Sequence, residues 1–127
     1  MNTREIGALG EKLAADYLRK QGYTILSQNF YASHNEIDII ARNAQYICFV
    51  EVKTRRVSEA QRYGRPASAV GYAKQRRLIA AAEQYLHRHP GSGQPRLDVI
   101  EIYLPDDVPA PQAAERIVHM PGAFRRS

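Results

Sequence analysis

The stretch "HNEIDIIARNAQYICFVEVKTR", residues 34–55, decides the fold because it contains two β-strand patterns separated by a short turn. The segments "EIDIIAR" (36–42) and "YICFVEVKT" (46–54) are rich in β-branched and aromatic residues, and only "NAQ" lies between them. This pattern predicts a β-hairpin. The second strand is apolar on both faces at its start, which is typical of a central strand covered by helices.

Three ionisable side chains, Asp38, Glu51 and Lys53, lie within this apolar hairpin. Alternate side chains of a strand share a face, so Glu51 and Lys53 are predicted to emerge together towards the end of the buried strand, with Asp38 on its neighbour. A buried carboxylate without a partner costs several kcal/mol, and proteins answer that cost with a counter-charge, a metal ion or a raised pKa.

Two carboxylates on adjacent strands would form an oxygen-rich site suited to a hard cation such as Mg²⁺. Lys53, two residues after Glu51, lies about 6 to 7 Å further along the strand and can reach a phosphate oxygen or a water molecule at that cation. This set indicates phosphodiester hydrolysis. The competing interpretation is a solvated Glu-x-Lys ion pair, which is common on strands. The apolar neighbours and the arginines that follow favour the functional interpretation.

Outside the hairpin, hydrophobic spacing and turn residues predict the remaining elements. They are a helix over 3–20 with Thr3 as a possible N-cap, a strand over 23–30, a loop over 56–66, a helix from about 68 to 89, a strand over 96–104 and a short strand over 116–120. The order of helix, three strands, helix and one or two strands predicts an α/β fold with layers of helices on a sheet.

The composition is that of an ordinary globular protein, with 44% hydrophobic and 24% charged residues among 127. We therefore expect a single domain over residues 1–127. The chain carries one cysteine and no apolar run long enough for a membrane span, from which we expect a cytoplasmic protein without disulfides. Its net charge of +5 favours polyanionic partners without selecting nucleic acid among them.

Several blocks of the sequence, taken together, resemble one known family. The blocks are "GEKLAADYL", "GYTILSQNF", "NEIDIIA", "FVEVKTR", "KQRRLIAAAEQYL", "RLDVIEI" and a terminal "GAF". In this order they resemble the YraN family of small predicted endonucleases, which are similar to Holliday-junction resolvases and belong to the PD-(D/E)xK, or restriction-endonuclease-like, superfamily. The resemblance covers roughly residues 6–124 and implies an αβββαβ nuclease core, a central mixed sheet flanked by helices.

The resemblance also implies roles for individual residues. Asp38, Glu51 and Lys53 match the superfamily signature, and Glu36 matches an acidic position just before it. Glu11 and Gln75 match two further positions that line such sites, although spacing alone leaves Glu11 at the margin of an apolar stripe and Gln75 equally well placed on the surface. Two departures are Ile37, where the superfamily has proline, and Asn35, where the family has glycine. Asparagine tolerates the left-handed conformation, so the turn is expected to survive this exchange.

We expect Asp38 and Glu51 to share Mg²⁺ or Mn²⁺, helped by the Val52 carbonyl and with Glu11 as a nearby outer acid. Basic residues after the hairpin are expected to contact DNA phosphates, although a solvated helix face is the alternative for those on the second helix. They are Arg55, Arg56, Arg62, Arg65, Lys74 and Arg77.

The sequence thus leads to one main functional hypothesis and two alternatives. The main one is a Mg²⁺-dependent endonuclease that hydrolyses structured or branched DNA. A homodimer would suit this activity, because two symmetric cuts need two sites. The alternatives are a non-catalytic nucleic-acid-binding protein on the same fold, and a scaffold protein whose charged cluster is a buried ion-pair network.

Overall fold

The computed structural model describes residues 1–32, 34–62, 70–108 and 111–125, with the backbone alone at 60–62. In chain order the elements are α1 (Thr3–Lys20), β1 (Thr24–Ala32), β2 (Asn35–Arg42), β3 (Tyr46–Arg56), a 3-10 helix (Val57–Arg62), α2 (Tyr72–Arg88), β4 (Gln94–Leu104) and β5 (Arg116–Phe124).

The five strands form one mixed sheet in the order β1-β2-β3-β4-β5. All neighbouring pairs are antiparallel except β3 and β4, which run parallel because α2 carries the chain back across the sheet between them. The predicted hairpin is β2 and β3. The predicted fold class is confirmed: this is an α/β fold with a mixed sheet flanked by two helices, the arrangement of a restriction-endonuclease-like core.

The two helices cover opposite faces of the sheet, and each face has its own apolar cluster. On the α1 face, Leu18 packs with residues such as Ile39 and Val50. On the α2 face, Tyr85 packs with residues such as Ile40 and Phe49. Alternate residues of β2 and β3 therefore enter opposite clusters, which explains why the central strands are apolar on both sides.

Polar side chains hold the start of α1 and the hairpin turn. Asn2, rather than the predicted Thr3, caps α1: its side chain accepts a hydrogen bond from the Glu5 N–H while Glu5 accepts from the Asn2 N–H. In the turn between β2 and β3, the Asn43 side chain accepts hydrogen bonds from the N–H groups of Gln45 and Tyr46.

The largest boundary differences from the sequence-based predictions concern three segments. Residues 56–62 were predicted as part of a loop, but β3 continues to Arg56 and a 3-10 helix follows. The Arg56 guanidinium donates to the carbonyls of Pro105 and Val108, and these bonds hold the segment against the chain after β4. Helix α2 begins at Tyr72, later than predicted, and β5 extends beyond the predicted end to Phe124.

The left-handed residue before β2 is His34 (φ 66°) and not Asn35, which is already part of the strand. A second left-handed residue, Asn29 (φ 56°), lies in β1. The turn before β2 therefore places its left-handed residue at His34, and Asn35 does not need that conformation. Across the described ranges, neither helix combines the length and the apolar character that a membrane crossing requires.

Candidate active site

The site begins where β2 and β3 separate. Their backbone pairing is regular from Arg42 and Ile47 to Ile39 and Val50, and it stops there. Beyond that point the Asp38 carboxylate accepts a hydrogen bond from the Val52 N–H at 2.8 Å, so a side chain continues the contact between the strands. The Asp38 carboxylate is consequently fixed at the opening between two strands.

Glu51 lies beside Asp38 and is 5% exposed. The two carboxyl groups share a hydrogen bond, and the Lys74 ammonium on α2 lies 2.9 Å from Glu51 Oε2. Apart from this ion pair, Glu51 Oε2 has no hydrogen-bond partner within the part of the chain that the structure describes. Two acids and one lysine from three elements thus meet at a single point.

The surroundings of Asp38 and Glu51 shift their pKa values in opposite directions. Burial, followed by the hydrogen bond and the charge of Glu51, raises the pKa of Asp38 to about 9. Burial also acts to raise the pKa of Glu51, but hydrogen bonds from Asp38 and Lys74 and the charges of Lys74 and Lys53 lower it overall. Without a cation the pair therefore shares one proton, which is held between the two carboxyl groups.

A second group of carboxylates meets Asp38 from the other side. Oxygen atoms of Glu11, Glu36 and Asp38 all lie within 4.8 Å of one another. The Asn29 amide lies between two of them, and with its nitrogen facing them it donates to Glu36 at 2.6 Å and to Glu11 at 2.8 Å. Burial raises the pKa of Glu11, and the negative charges of Glu36 and Glu51 raise it further.

Close packing of α1 on β3 brings Glu11 to this point. Gly10, the preceding residue, faces the Thr54 side chain so closely that a Cβ there would overlap the Thr54 hydroxyl. Only glycine permits this separation between helix and strand. The ambiguity about Glu11 is thereby resolved, because its carboxylate points towards the sheet and not into solvent.

Lys53 is half-buried at the same opening, which it lines together with Asp38 and Glu51. Burial lowers the pKa of Lys53, and the nearby Lys74 charge lowers it further against the opposing effect of Glu51. Asp38, Glu51 and Lys53, which were selected from the sequence, are therefore neighbours in space.

Other predicted site residues lie elsewhere. The Gln75 amide donates to the Val70 carbonyl at 2.8 Å, close to the start of α2, and does not line the acidic opening. Arg55 is 8% exposed and lies 3.0 Å from Glu101, so it is turned into the fold. Arg56 donates to the carbonyls described above. These contacts show where the three side chains lie among the described residues, and the site roles expected for Gln75, Arg55 and Arg56 remain predictions.

Lys74 and Arg77 lie close to the acidic opening, and their role in phosphate binding remains a prediction. Both line an open pocket whose acidic wall is formed by Glu36, Asp38 and Glu51, and His34 also lines it. The Arg62 side chain and all of Arg65 lie outside the described residues, so the predictions for them remain predictions.

Two features of the structure had no signal in the sequence. Asn29 bridges two of the acids although it lies in a strand pattern with nothing to mark it as part of a site. Asp98, fully buried in β4, accepts hydrogen bonds from Arg96 and the Gly122 N–H and pairs with His119. These partners and the resulting low pKa of Asp98, reached against the effect of burial, indicate a structural ion-pair network.

The acidic opening has the chemistry that a hard divalent cation requires. Asp38 and Glu51 cannot both be ionised at close range without added positive charge, and further carboxylates lie next to them. Carboxylate oxygens are the preferred ligands of Mg²⁺ and Mn²⁺. The residues present therefore fit such an ion: the carboxylates of Glu11, Glu36 and Asp38 lie within reach of one point, and Glu51 lies beside Asp38.

Comparison with known proteins gives a consistent family. A family model described as "Uncharacterised protein family UPF0102" matches residues 10–102. The UPF0102 protein TTE1452 of Caldanaerobacter subterraneus subsp. tengcongensis is 40% identical over 125 residues, which cover 98% of each chain. A UPF0102 protein of Syntrophotalea carbinolica is 43% identical over 120 residues, 94% of this chain and 90% of the relative. The UPF0102 protein STH1475 of Symbiobacterium thermophilum is 45% identical over 101 residues, 79% of this chain and 83% of the relative.

Proposed function

This chain belongs to the uncharacterised protein family UPF0102, and we propose that it is a Mg²⁺- or Mn²⁺-dependent endonuclease acting on structured or branched DNA. One observation carries the proposal: Asp38 and Glu51, in hydrogen-bond contact at the opening between β2 and β3, share that opening with Lys53. Two acids and a lysine in this relation suit phosphodiester hydrolysis.

A cation held by Asp38 and Glu51 would supply positive charge at a scissile phosphate and lower the pKa of a water molecule. The protein's own contribution is positioning. The Val52 N–H and the strand backbone hold Asp38 in place, and Lys53 presents its ammonium at the same opening. There it can stabilise the negative charge that develops on the phosphate and orient the attacking water.

The substrate is expected to approach over the pocket lined by Lys74 and Arg77. Contacts from such side chains go to phosphates rather than to base edges, so binding should depend little on sequence and fall steeply with salt. We propose a homodimer for symmetric cleavage of a four-way junction, and the sedimentation of the purified protein with and without DNA would test it.

The decisive experiment incubates the purified protein with linear, flapped and four-way DNA in Mg²⁺, Mn²⁺ or EDTA. Wild type should cleave at least one branched substrate in the presence of either cation and none in EDTA. Asp38→Asn, purified identically, is the control for a contaminating nuclease and should not cleave. DNA binding without cleavage under every condition would instead support the non-catalytic binding protein, and absence of both would support the scaffold protein.

A further inference from the structure

Lys74 has two features that together suggest more than a fixed ion pair. Its ammonium is the ionic partner of Glu51 Oε2 at 2.9 Å, yet its own side chain is 41% exposed while that of Glu51 is only 6% exposed. A long, flexible side chain of this exposure can swing into solvent by rotation of its own bonds. The buried carboxylate cannot follow it, so Glu51 would lose the ionic partner that lies 2.9 Å from its Oε2.

Lys74 also stands at the place where the cation and the polyanion would meet. It lines the acidic opening with Lys53, and it lines the adjoining pocket with Arg77, which follows one helical turn later on α2. A cation that binds Glu51 competes directly with the Lys74 ammonium for Oε2. Two positive charges on one carboxylate oxygen, with Lys53 nearby, repel each other, and the mobile one is displaced.

We propose that Lys74 exchanges partners: its ammonium neutralises Glu51 in the metal-free protein, and cation binding releases it to contact a backbone phosphate of the nucleic acid. This inference rests on the proposed function and adds how the site is regulated. Each ligand removes a competitor of the other, so cation and nucleic acid bind with positive coupling, and linkage requires the effect to be reciprocal. The protein would therefore bind its substrate firmly only when it is loaded with metal.

The test measures Mn²⁺ affinity by calorimetry with and without a phosphorothioate oligonucleotide that resists cleavage. In wild type, the oligonucleotide should tighten Mn²⁺ binding by about 5-fold or more. Lys74→Met should bind Mn²⁺ more tightly than wild type when no oligonucleotide is present, because the competitor is gone. The oligonucleotide should then tighten Mn²⁺ binding by a smaller factor than in wild type, because only the direct attraction between the cation and a phosphate remains. Lys74→Gln, which keeps a polar side chain, should behave in the same way.

Arg77→Met is the matched control, because it removes one positive charge from the same helix and pocket. It should weaken oligonucleotide binding but leave the metal-dependent enhancement in place. If Lys74→Met matches wild type in Mn²⁺ affinity, or if Arg77→Met tightens Mn²⁺ binding equally, the exchange is wrong and the metal site stands. If wild type binds no Mn²⁺, the proposed function itself fails and the exchange fails with it.

Discussion

The Asp38 carboxylate and the Val52 N–H are joined by a 2.8 Å hydrogen bond at the point where the backbone pairing of β2 and β3 ends. A side chain thus takes over from the strand ladder, and it is the acid whose pKa is raised most clearly. The raised pKa of Asp38 therefore links its protonation to folding, and the pH dependence of protein stability measures this link.

The first prediction concerns Asp38→Asn without divalent cations. The folded-state pKa of Asp38 is raised above its unfolded value, so its contribution to stability is fully present below about pH 4 and is lost as pH rises through about 9. Asparagine can still accept from Val52 and donate to Glu51, and it carries no charge. We expect the variant to be at least as stable as wild type at about pH 8. Its free energy of unfolding should exceed that of wild type by about 1 to 3 kcal/mol at most.

Urea unfolding of both proteins in EDTA between about pH 5 and 9 measures this effect. The wild-type free energy of unfolding should fall across this range more steeply than that of Asp38→Asn. Parallel pH profiles would show that Asp38 holds no extra proton in the folded state.

The same substitution at Asp98 should have the opposite result. Asp98 is fully buried and paired with Arg96 and His119, and its folded-state pKa is lowered. The stability that ionised Asp98 contributes to the folded protein is therefore present above the ordinary aspartate pKa. It is lost as pH falls through the lowered folded-state pKa of Asp98. Asp98→Asn leaves the Arg96 charge without its carboxylate and should cost about 3 to 5 kcal/mol at neutral pH.

Denaturant unfolding of Asp98→Asn beside Asp38→Asn makes the comparison direct. If Asp98→Asn lowers the free energy of unfolding by less than about 1 kcal/mol, Asp98, Arg96 and His119 do not form a structural ion-pair network.

Two glycines of α1 provide a matched test of how the helix lies on the sheet. Gly10→Ala places a methyl group into the Thr54 side chain and should destabilise the protein by about 1 to 3 kcal/mol. A Cβ at Gly7 meets nothing within 4 Å, so Gly7→Ala should stabilise the helix by about 0.5 to 1 kcal/mol. Thermal unfolding of the two variants should give shifts of opposite sign, and equal shifts would refute the close approach at Gly10.

Lys53→Met separates chemistry from binding. If Lys53 acts on the attacking water and the phosphate, its removal should lower the cleavage rate by about 10²-fold to 10³-fold. Affinity for DNA and thermal stability should change little, because the lysine is only half-buried and other basic residues carry the phosphate contacts. Lys20→Met, at the exposed far end of α1, is the charge-matched control. Wild-type cleavage by Lys53→Met would leave the fold assignment intact and remove Lys53 from the catalytic set.

Excess Mn²⁺ gives a further distinction between the acidic and basic residues. Asp38→Ala should lose cleavage through weaker metal binding, so a higher Mn²⁺ concentration should restore part of its activity. It should not restore Lys53→Met, whose defect lies in the reaction and not in metal affinity. Rescue of both variants to the same extent would show that Lys53 also acts through the metal.

Local patterns in the sequence determined the elements and the central acids. Alternation and β-branched residues mark β2 and β3, helical spacing marks α1 and α2, and charged side chains inside an apolar hairpin single out Asp38, Glu51 and Lys53. These features are readable because they depend on neighbours within a few residues, where backbone geometry dictates which side chains share a face.

Only the tertiary structure decided which charges meet across the fold. Lys74 reaches Glu51, Arg55 turns to Glu101, and Gln75 donates to Val70. No spacing rule separates these outcomes for polar residues at the end of β3 and the start of α2. Likewise, Gly10 admits α1 close enough to bring Glu11 to Asp38. Such contacts depend on the separation and orientation of whole elements, and packing of the two apolar faces sets both.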